Sequence, residues 1–156
     1  MNQQPMKVVV DGDDAALELK QTIVAHLLAR GVEVTDLAYL GTKKADYPEI
    51  GHHLAQQIAA KKFDRGILMC GTGLGMAMIA NKVEGVWAGT CHDTFSAERL
   101  KKSNDANVLT MGARVIGPEL AKMIVDAWLN SEFAGGGSTP KVEQLRQLEQ
   151  KSFHKS

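Results

Sequence analysis

A cysteine stands between a short apolar run and a loop in which every second residue is glycine. The run covers residues 66–69, and the loop, Cys70 to Gly75, reads Cys-Gly-Thr-Gly-Leu-Gly. Alternating glycines let a backbone turn sharply and bring several N–H groups close to one bound atom, and a helix that begins there adds its positive end. Such N–H groups also favour the thiolate form of a cysteine. The loop therefore predicts a base or nucleophile beside a cradle for a group that becomes negatively charged.

Two other interpretations of this loop remain open. Cysteine is among the most buried residue types, so Cys70 could pack in the core, as we expect of Cys91 within its own apolar run. A glycine-rich loop can also bind a nucleotide, but the spacing here is G-x-G-x-G, and the loop lacks the lysine of a nucleoside-triphosphate site. No acidic residue stands where the ribose of a dinucleotide would need one. The spacing favours chemistry on a small substrate that becomes anionic.

Polar residues after other apolar runs are further candidates. His92 and Asp93 end one such run, where they could form a capped helix start or a functional pair. A metal site is not indicated, because no third ligand accompanies them at a metal-binding spacing. Asp13 and Asp14 follow the first run, as turn formers or as acceptors for substrate hydroxyls. Arg114 is a lone positive charge among apolar residues, which suits an anion contact or a buried ion pair.

The elements that must position these side chains alternate between short β-branched runs and longer helical patterns. This alternation is typical of an α/β fold in which helices cover both faces of a parallel sheet. Five strands are predicted at 7–10, 32–37, 66–70, 86–91 and 107–111, and helices at 15–30, 49–61, 74–81, 94–102, 118–130 and 140–151. Ligands of such sheets gather beyond the carboxyl ends of the strands, where we expect Asp13, Cys70, His92 and Asn104 to converge.

Composition narrows the range of partners. The 156 residues are 44% hydrophobic and 23% charged, enough for one domain over residues 1–156 with its own core. Lysine plus arginine equals aspartate plus glutamate at 18 each, so no overall charge favours nucleic acid or an acidic membrane surface. No apolar stretch is long enough to cross a bilayer, and residues 1–5 lack the pattern of a secretion signal. We expect a cytoplasmic protein with two free cysteines.

Four ordered segments resemble the type B ribose-5-phosphate isomerase family, which includes galactose-6-phosphate isomerases. The segments are 70–76, 80–83, 91–97 and 104–109, and the likeness extends from about Lys7 to about Glu149. The resemblance implies a Rossmann-like three-layer sandwich with a five-stranded parallel sheet. It also implies a homodimer, or a tetramer of two such dimers, with its active sites between subunits and helix 140–151 packed on the partner. The implied substrate is a small phosphorylated sugar, and no metal or organic cofactor is expected.

The resemblance also assigns roles to single residues. Cys70 matches the base that moves a proton between C1 and C2 through a cis-enediolate, and Thr72 matches a hydroxyl that passes protons between the oxygens. Asp13 and Asn104 match contacts to sugar oxygens, and His92 is a candidate for opening the sugar ring. The enediolate is assigned to the N–H groups of Gly71, Gly73, Leu74 and Gly75, and the phosphate to Arg114, Ser138 and Lys141.

Departures from the family pattern affect the choice of sugar. Asp14 stands where many members have histidine, Ser103 replaces a histidine assigned to ring opening, and Ser138 and Lys141 lie in a segment that usually carries two arginines. Conversion of ribose 5-phosphate to ribulose 5-phosphate is the expected reaction. A tetrulose phosphate, for example D-erythrulose 4-phosphate, is the alternative, because its esterified terminal oxygen cannot close a stable ring. A sensor that binds sugar phosphates without turnover is a further alternative.

Overall fold

Five parallel strands form one sheet in the computed structural model, which describes residues 4–155. The strands lie in the order β2-β1-β3-β5-β4 and are β1 (Lys7–Gly12), β2 (Glu33–Asp36), β3 (Arg65–Cys70), β4 (Ala88–Thr90) and β5 (Val108–Gly112). Within the described residues, six α-helices connect or follow them: α1 (Leu17–Ala29), α2 (Tyr47–Ala59), α3 (Leu74–Ala80), α4 (Thr94–Lys102), α5 (Pro118–Leu129) and α6 (Thr139–Phe153). The predicted α/β fold with a five-stranded parallel sheet is confirmed.

The central strand β3 separates two apolar layers. All six of its residues are buried, and successive side chains point to opposite faces of the sheet. Ile67 and Met69 belong to the layer that contains residues of α1 and α5, whereas Leu68 and Cys70 belong to the layer that contains residues of α2 and α3. Cys70 therefore leaves the sheet on the side of α3, the helix that follows it in the chain.

Element boundaries differ from the predicted ones by a few residues. The predicted strand 86–91 is reduced to β4, because the backbone N–H of Trp87 is bound by the Asn107 side chain instead of a neighbouring strand. The helix predicted from residue 15 starts with a 3-10 turn over Asp14–Ala16, and α1 follows it. No helix within residues 4–155 is long and apolar enough to cross a membrane.

A buried ionic cluster fixes the end of β1. The Asp11 carboxylate accepts the backbone N–H of Gly12 at 2.8 Å and that of Tyr39 at 3.2 Å. The Lys20 ammonium lies 3.6 Å from Asp11 Oδ1 and 3.0 Å from Asp36 Oδ1. Asp11 and Lys20 are both buried, so each charge depends on the other for compensation. The cluster joins β1, β2 and α1 directly beneath the turn that carries Asp13.

Replacing Lys20 with methionine is expected to lower the free energy of unfolding by about 3 kcal/mol at neutral pH, because Asp11 would remain buried without its cation. Burial raises the pKa of Asp11 above its ordinary value, despite the hydrogen bonds from Gly12 and Tyr39 and the charge of Lys20. The folded state therefore binds this proton more tightly than the unfolded state, and stability increases as the pH falls through the raised pKa. Urea unfolding at neutral pH and at about pH 4.5 should show a smaller loss in acid.

The matched control is Lys122→Met on α5, where Lys122 pairs with the exposed Glu119 at 2.8 Å. We expect that change to cost less than about 1 kcal/mol at either pH. An equal loss for Lys20→Met at both pH values would contradict the role given to the Asp11 carboxylate.

Candidate active site

Cys70 and the glycine loop form a tight turn from β3 into α3. The thiol is buried, with 5% of the residue exposed, and its Sγ accepts the Gly73 N–H at 3.1 Å. Gly73 has a φ of +79°, and a Cβ at this position would stand 2.8–2.9 Å from the Met111 backbone. Only glycine fits both the left-handed conformation and this contact. The local sequence thus places the sulfur against the backbone of its own loop.

The N–H groups assigned to the enediolate are not all free. Gly73 donates to Cys70 Sγ, and Leu74 donates to Thr72 Oγ1 at 3.3 Å. The first helical hydrogen bond of α3 runs from Ala77 N–H to the Gly73 carbonyl, so the N–H of Gly75 has no partner within the helix. Gly71 and Gly75 are therefore the better placed of the four predicted donors for a bound oxygen.

The turn after β5 covers the cysteine loop. Ala113 donates its N–H to the Cys70 carbonyl at 2.9 Å, and Arg114 donates its N–H to the Gly71 carbonyl at 3.0 Å. The Arg114 guanidinium lies over Gly71, where a Cβ added to that glycine would stand 3.2 Å from Nη1. The structure therefore places the predicted anion contact, Arg114, beside the predicted cradle.

Asp13 joins this group from the end of β1. Its N–H donates to the Met69 carbonyl at 3.1 Å, and its Oδ1 accepts the Ala15 N–H at 3.1 Å. Burial raises the pKa of Asp13, and the neighbouring Asp14 adds to this, whereas the Ala15 N–H and the charge of Arg114 oppose it. Asp13 is therefore both the cap of a turn and a half-buried carboxyl within the electrostatic reach of Arg114. Asp14 is exposed.

His92 reaches the same edge of the sheet, but one of its nitrogens is already used. Its Nε2 accepts the backbone N–H of Gly112 at 2.9 Å, which requires the neutral tautomer with the proton on Nδ1. Asp93 caps α4 by accepting the Ser96 N–H at 2.6 Å, as expected for a capped helix start. A role of His92 in ring opening would depend on Nδ1 and stays a prediction.

The expected convergence of Asn104 with Cys70 is wrong within one chain. Asn104 follows α4, which runs back across the sheet, so it lies just before the amino end of β5, whereas Cys70 pairs with Gly112 at the carboxyl end. The strand alone separates these ends by about 13 Å. Asn104 was predicted to lie with residues that follow strands, but it follows a helix.

Ser138 and Lys141 also lie on the side of Asn104. They follow α5, whose last turn is bound by the guanidinium of Arg65, the first residue of β3. The N–H of Ala134, in the connecting segment, donates to the Lys102 carbonyl at the end of α4. Ser138 is partly buried and Lys141 is exposed.

The predicted site therefore falls into two parts: a cysteine half at the carboxyl edge of the sheet and an asparagine half at its amino edge. The cysteine half contains Asp13, Cys70, Thr72, His92 and Arg114, and the asparagine half contains Asn104, Ser138 and Lys141.

Two sets of residues around the cysteine half were not predicted from the sequence. The Tyr47 ring packs directly on Gly75, where an added Cβ would clash with Cε2 of the ring, and 40% of Tyr47 is exposed. No local pattern marks this contact. Thr90 and Thr110 place their hydroxyls near the Gly73 carbonyl. A threonine in the otherwise apolar run of β5 was a signal that could have identified Thr110.

Comparison with known proteins agrees with this arrangement of elements and loop. A sequence profile of the family described as Ribose/Galactose Isomerase matches residues 8–145. The chain belongs to this family. It is 50% identical over 150 residues to a D-erythrulose-4-phosphate isomerase from Pectobacterium atrosepticum, covering 96% of this chain and 99% of that one. It is 43% identical over 145 residues to ribose-5-phosphate isomerase B from Escherichia coli, covering 93% and 97%.

A solved structure of another member of the ribose/galactose isomerase family matches the whole fold. The ribose-5-phosphate isomerase B of Clostridium thermocellum superposes with a TM-score of 0.89 at 40% identity, covering 94% of this chain and 99% of that one. The family, the fold and the isomerase class indicated by the sequence are thereby confirmed. Both cysteines are free, as expected.

Proposed function

We propose that this chain interconverts the aldose and ketose forms of a small phosphorylated sugar by moving a proton between C1 and C2. Cys70 acts as the base, and the proton leaves one carbon as an enediolate forms and returns to the other. The observation that carries this proposal is the sulfur at the mouth of the glycine loop, held by the Gly73 N–H at 3.1 Å with the Arg114 guanidinium over the adjacent Gly71. Fixed N–H donors and a nearby cation stabilise the negative charge that such an intermediate develops.

The division into two halves supports a site shared between two copies of the chain. The cysteine half supplies the base and the enediolate donors, and the asparagine half supplies an amide, a hydroxyl and the Lys141 ammonium for the sugar and its phosphate. Because these groups lie at opposite edges of one sheet, a complete site requires the asparagine half of a second chain. We therefore propose a homodimer with two composite sites, and association of two dimers into a tetramer remains a further prediction.

Exposed apolar side chains support a homodimer with composite sites. Leu74 and Met78 lie one turn apart on α3 and are 58% and 66% exposed. Beside Asn104, a groove of about 510 Å³ runs between the edge strand β4 and α6. The groove is lined by apolar residues that include Leu100, Leu145, Leu148 and Phe153. Such a groove suits an apolar helix of a partner, and insertion of α3 from a second copy would bring Cys70 towards Asn104.

The predicted packing of the last helix on a partner is part of this proposal. Within its own chain, α6 buries Val142 and is otherwise attached through polar groups. Glu149 accepts the N–H of Gly85 at 3.1 Å and the indole N–H of Trp87 at 3.2 Å. Arg146 pairs with Asp105 at 3.2 Å. The apolar residues Leu145, Leu148 and Phe153 remain 44–53% exposed, so they are available to a second copy.

Two sugars are the candidate substrates. Ribose 5-phosphate is the substrate named for several relatives, including the Escherichia coli enzyme. Ser103, where a ring-opening histidine was expected, favours D-erythrulose 4-phosphate, which forms no stable ring, and the relative at 50% identity is named for that sugar. A cytoplasmic location, inferred from the free cysteines, accompanies either substrate.

Kinetics with both sugars tests the choice. We expect a larger kcat/KM for D-erythrulose 4-phosphate than for ribose 5-phosphate, because only the second must be opened before proton transfer. Ser103→His is expected to raise kcat/KM for ribose 5-phosphate about tenfold and to leave the tetrulose nearly unchanged, since a general acid or base typically contributes at least that factor. Ser103→Ala is the control and should change neither. Turnover of the pentose alone would overturn the four-carbon candidate, and thermal stabilisation by both sugars without turnover would indicate a sensor.

A further inference from the structure

Two threonines from neighbouring strands converge on the carbonyl oxygen of Gly73. Thr110, a fully buried residue of β5, has its Oγ1 2.8 Å from this oxygen. Thr90, at the end of β4, has its Oγ1 2.7 Å from that of Thr110 and 3.3 Å from the Gly73 oxygen. The Gly73 carbonyl also accepts the Ala77 N–H at 3.1 Å, the first hydrogen bond of α3.

The distances fix the direction of the hydroxyl protons. Each threonine hydroxyl has one proton to donate. If Thr110 donates to the Gly73 carbonyl and Thr90 donates to Thr110, both short contacts contain a proton. In the reverse order, the 2.8 Å contact between two oxygens would contain none. The hydroxyls therefore form a chain from Thr90 through Thr110 to Gly73.

Gly73 is also the residue that contacts the sulfur. Its N–H donates to Cys70 Sγ at 3.1 Å, so Gly73 is bound on one side by the hydroxyl chain and on the other by the thiol. Its left-handed φ of +79° makes it the bend of the loop. We propose that Thr110, supported by Thr90, is a positioning residue for Cys70: it holds Gly73 so that the Gly73 N–H stays directed at the sulfur. The inference rests on the proposed role of Cys70 as base.

The fold does not require a hydroxyl at position 110. The other residues of β5 between Val108 and Met111 are apolar and fully buried, and valine would have nearly the same shape as threonine. Burying the Thr110 hydroxyl costs desolvation energy that its hydrogen bonds only partly offset. The two hydroxyls are explained by what they bind, which is the carbonyl of the glycine whose N–H donates to the sulfur.

The experiment compares Thr110→Val with Thr110→Ser in a Cys91→Ala background. Cys91 is 3% exposed, and burial, with a contribution from the charge of Asp93, raises its pKa to about 11. Because the chain has two cysteines, removing Cys91 leaves Cys70 as the thiol that iodoacetamide can alkylate. We expect Thr110→Val to lower kcat about tenfold, with KM changed less than about twofold, which corresponds to one lost hydrogen bond. The rate of Cys70 alkylation by iodoacetamide should fall in parallel, and Thr110→Ser should restore both.

Thermal unfolding and a second variant separate positioning from folding. Thr90→Val removes only the outer hydroxyl and should show a smaller fall in the same two rates. Unchanged kcat and alkylation in Thr110→Val would overturn the inference, as would equal losses in the valine and serine variants accompanied by a lower Tm. The alkylation measurement needs no substrate. A wild-type protein that isomerises no sugar phosphate would thus overturn the proposed function, while the alkylation rates still decide the role of Thr110.

Discussion

Replacing Cys70 with alanine is expected to lower the rate of sugar-phosphate isomerisation roughly 1,000-fold while the fold remains intact. The change removes the sulfur that accepts the Gly73 N–H but adds no atom to the turn, which already has its shape from the left-handed Gly73. The loss should appear almost entirely in kcat, because the groups assigned to the phosphate are untouched. Exchange of the C2 hydrogen with solvent and circular-dichroism melting would measure the two effects separately.

The second cysteine provides the matched control for this prediction. Cys91 is buried in the opposite apolar layer and makes no hydrogen bond to the glycine loop among those of the described residues. Cys91→Ala should therefore keep nearly full activity, at a cost of about 1 kcal/mol in the free energy of unfolding. Retained turnover in Cys70→Ala, with loss in Cys91→Ala, would remove Cys70 from the mechanism.

Two inactive variants are expected to regain activity when they are assembled together. Cys70→Ala disables the cysteine half, and Asn104→Ala disables the asparagine half, which lies at the other edge of the sheet in the same chain. In a mixed dimer with composite sites, one site carries both defects and the other carries neither. Random assembly makes half of the dimers mixed, so co-expression should give about one quarter of the wild-type activity.

A pair of variants from one half provides the control. Cys70→Ala co-expressed with Asp13→Asn places both defects in the cysteine half, so every site in the mixed dimer retains one of them and activity should stay low. A site formed within a single chain would give no recovery for either pair. That result would overturn the shared site and would leave the distance between Cys70 and Asn104 without a functional explanation.

The sequence alone predicted much of the sheet and the cysteine half. The continuous apolar run that forms β3 and the glycine spacing after it are local properties, so they could be recognised without knowing the rest of the fold. The family resemblance added roles that no local pattern contains. The contact between Arg114 and Gly71 was not predicted, although both residues follow or lie at the carboxyl ends of adjacent strands.

The remaining part of the site depends on long-range geometry. Asn104 was misplaced because the direction of α4, and not the nearness of a strand in the sequence, decides the edge on which its last residues lie. The bond from Gly112 to His92, the ring of Tyr47 on Gly75 and the threonine chain all join segments that are distant in sequence. No periodicity within one segment can indicate such pairs.

The most direct test of proton transfer by Cys70 is isomerisation in deuterium oxide followed by NMR. With D-erythrulose 4-phosphate or ribulose 5-phosphate as substrate, the wild-type protein is predicted to place solvent deuterium at C2 of the aldose product, and Cys70→Ala to place almost none. While the enediolate exists, the transferred proton resides on the protein and can exchange with solvent. Wild-type levels of deuterium at C2 of the aldose formed by Cys70→Ala would contradict proton transfer through Cys70.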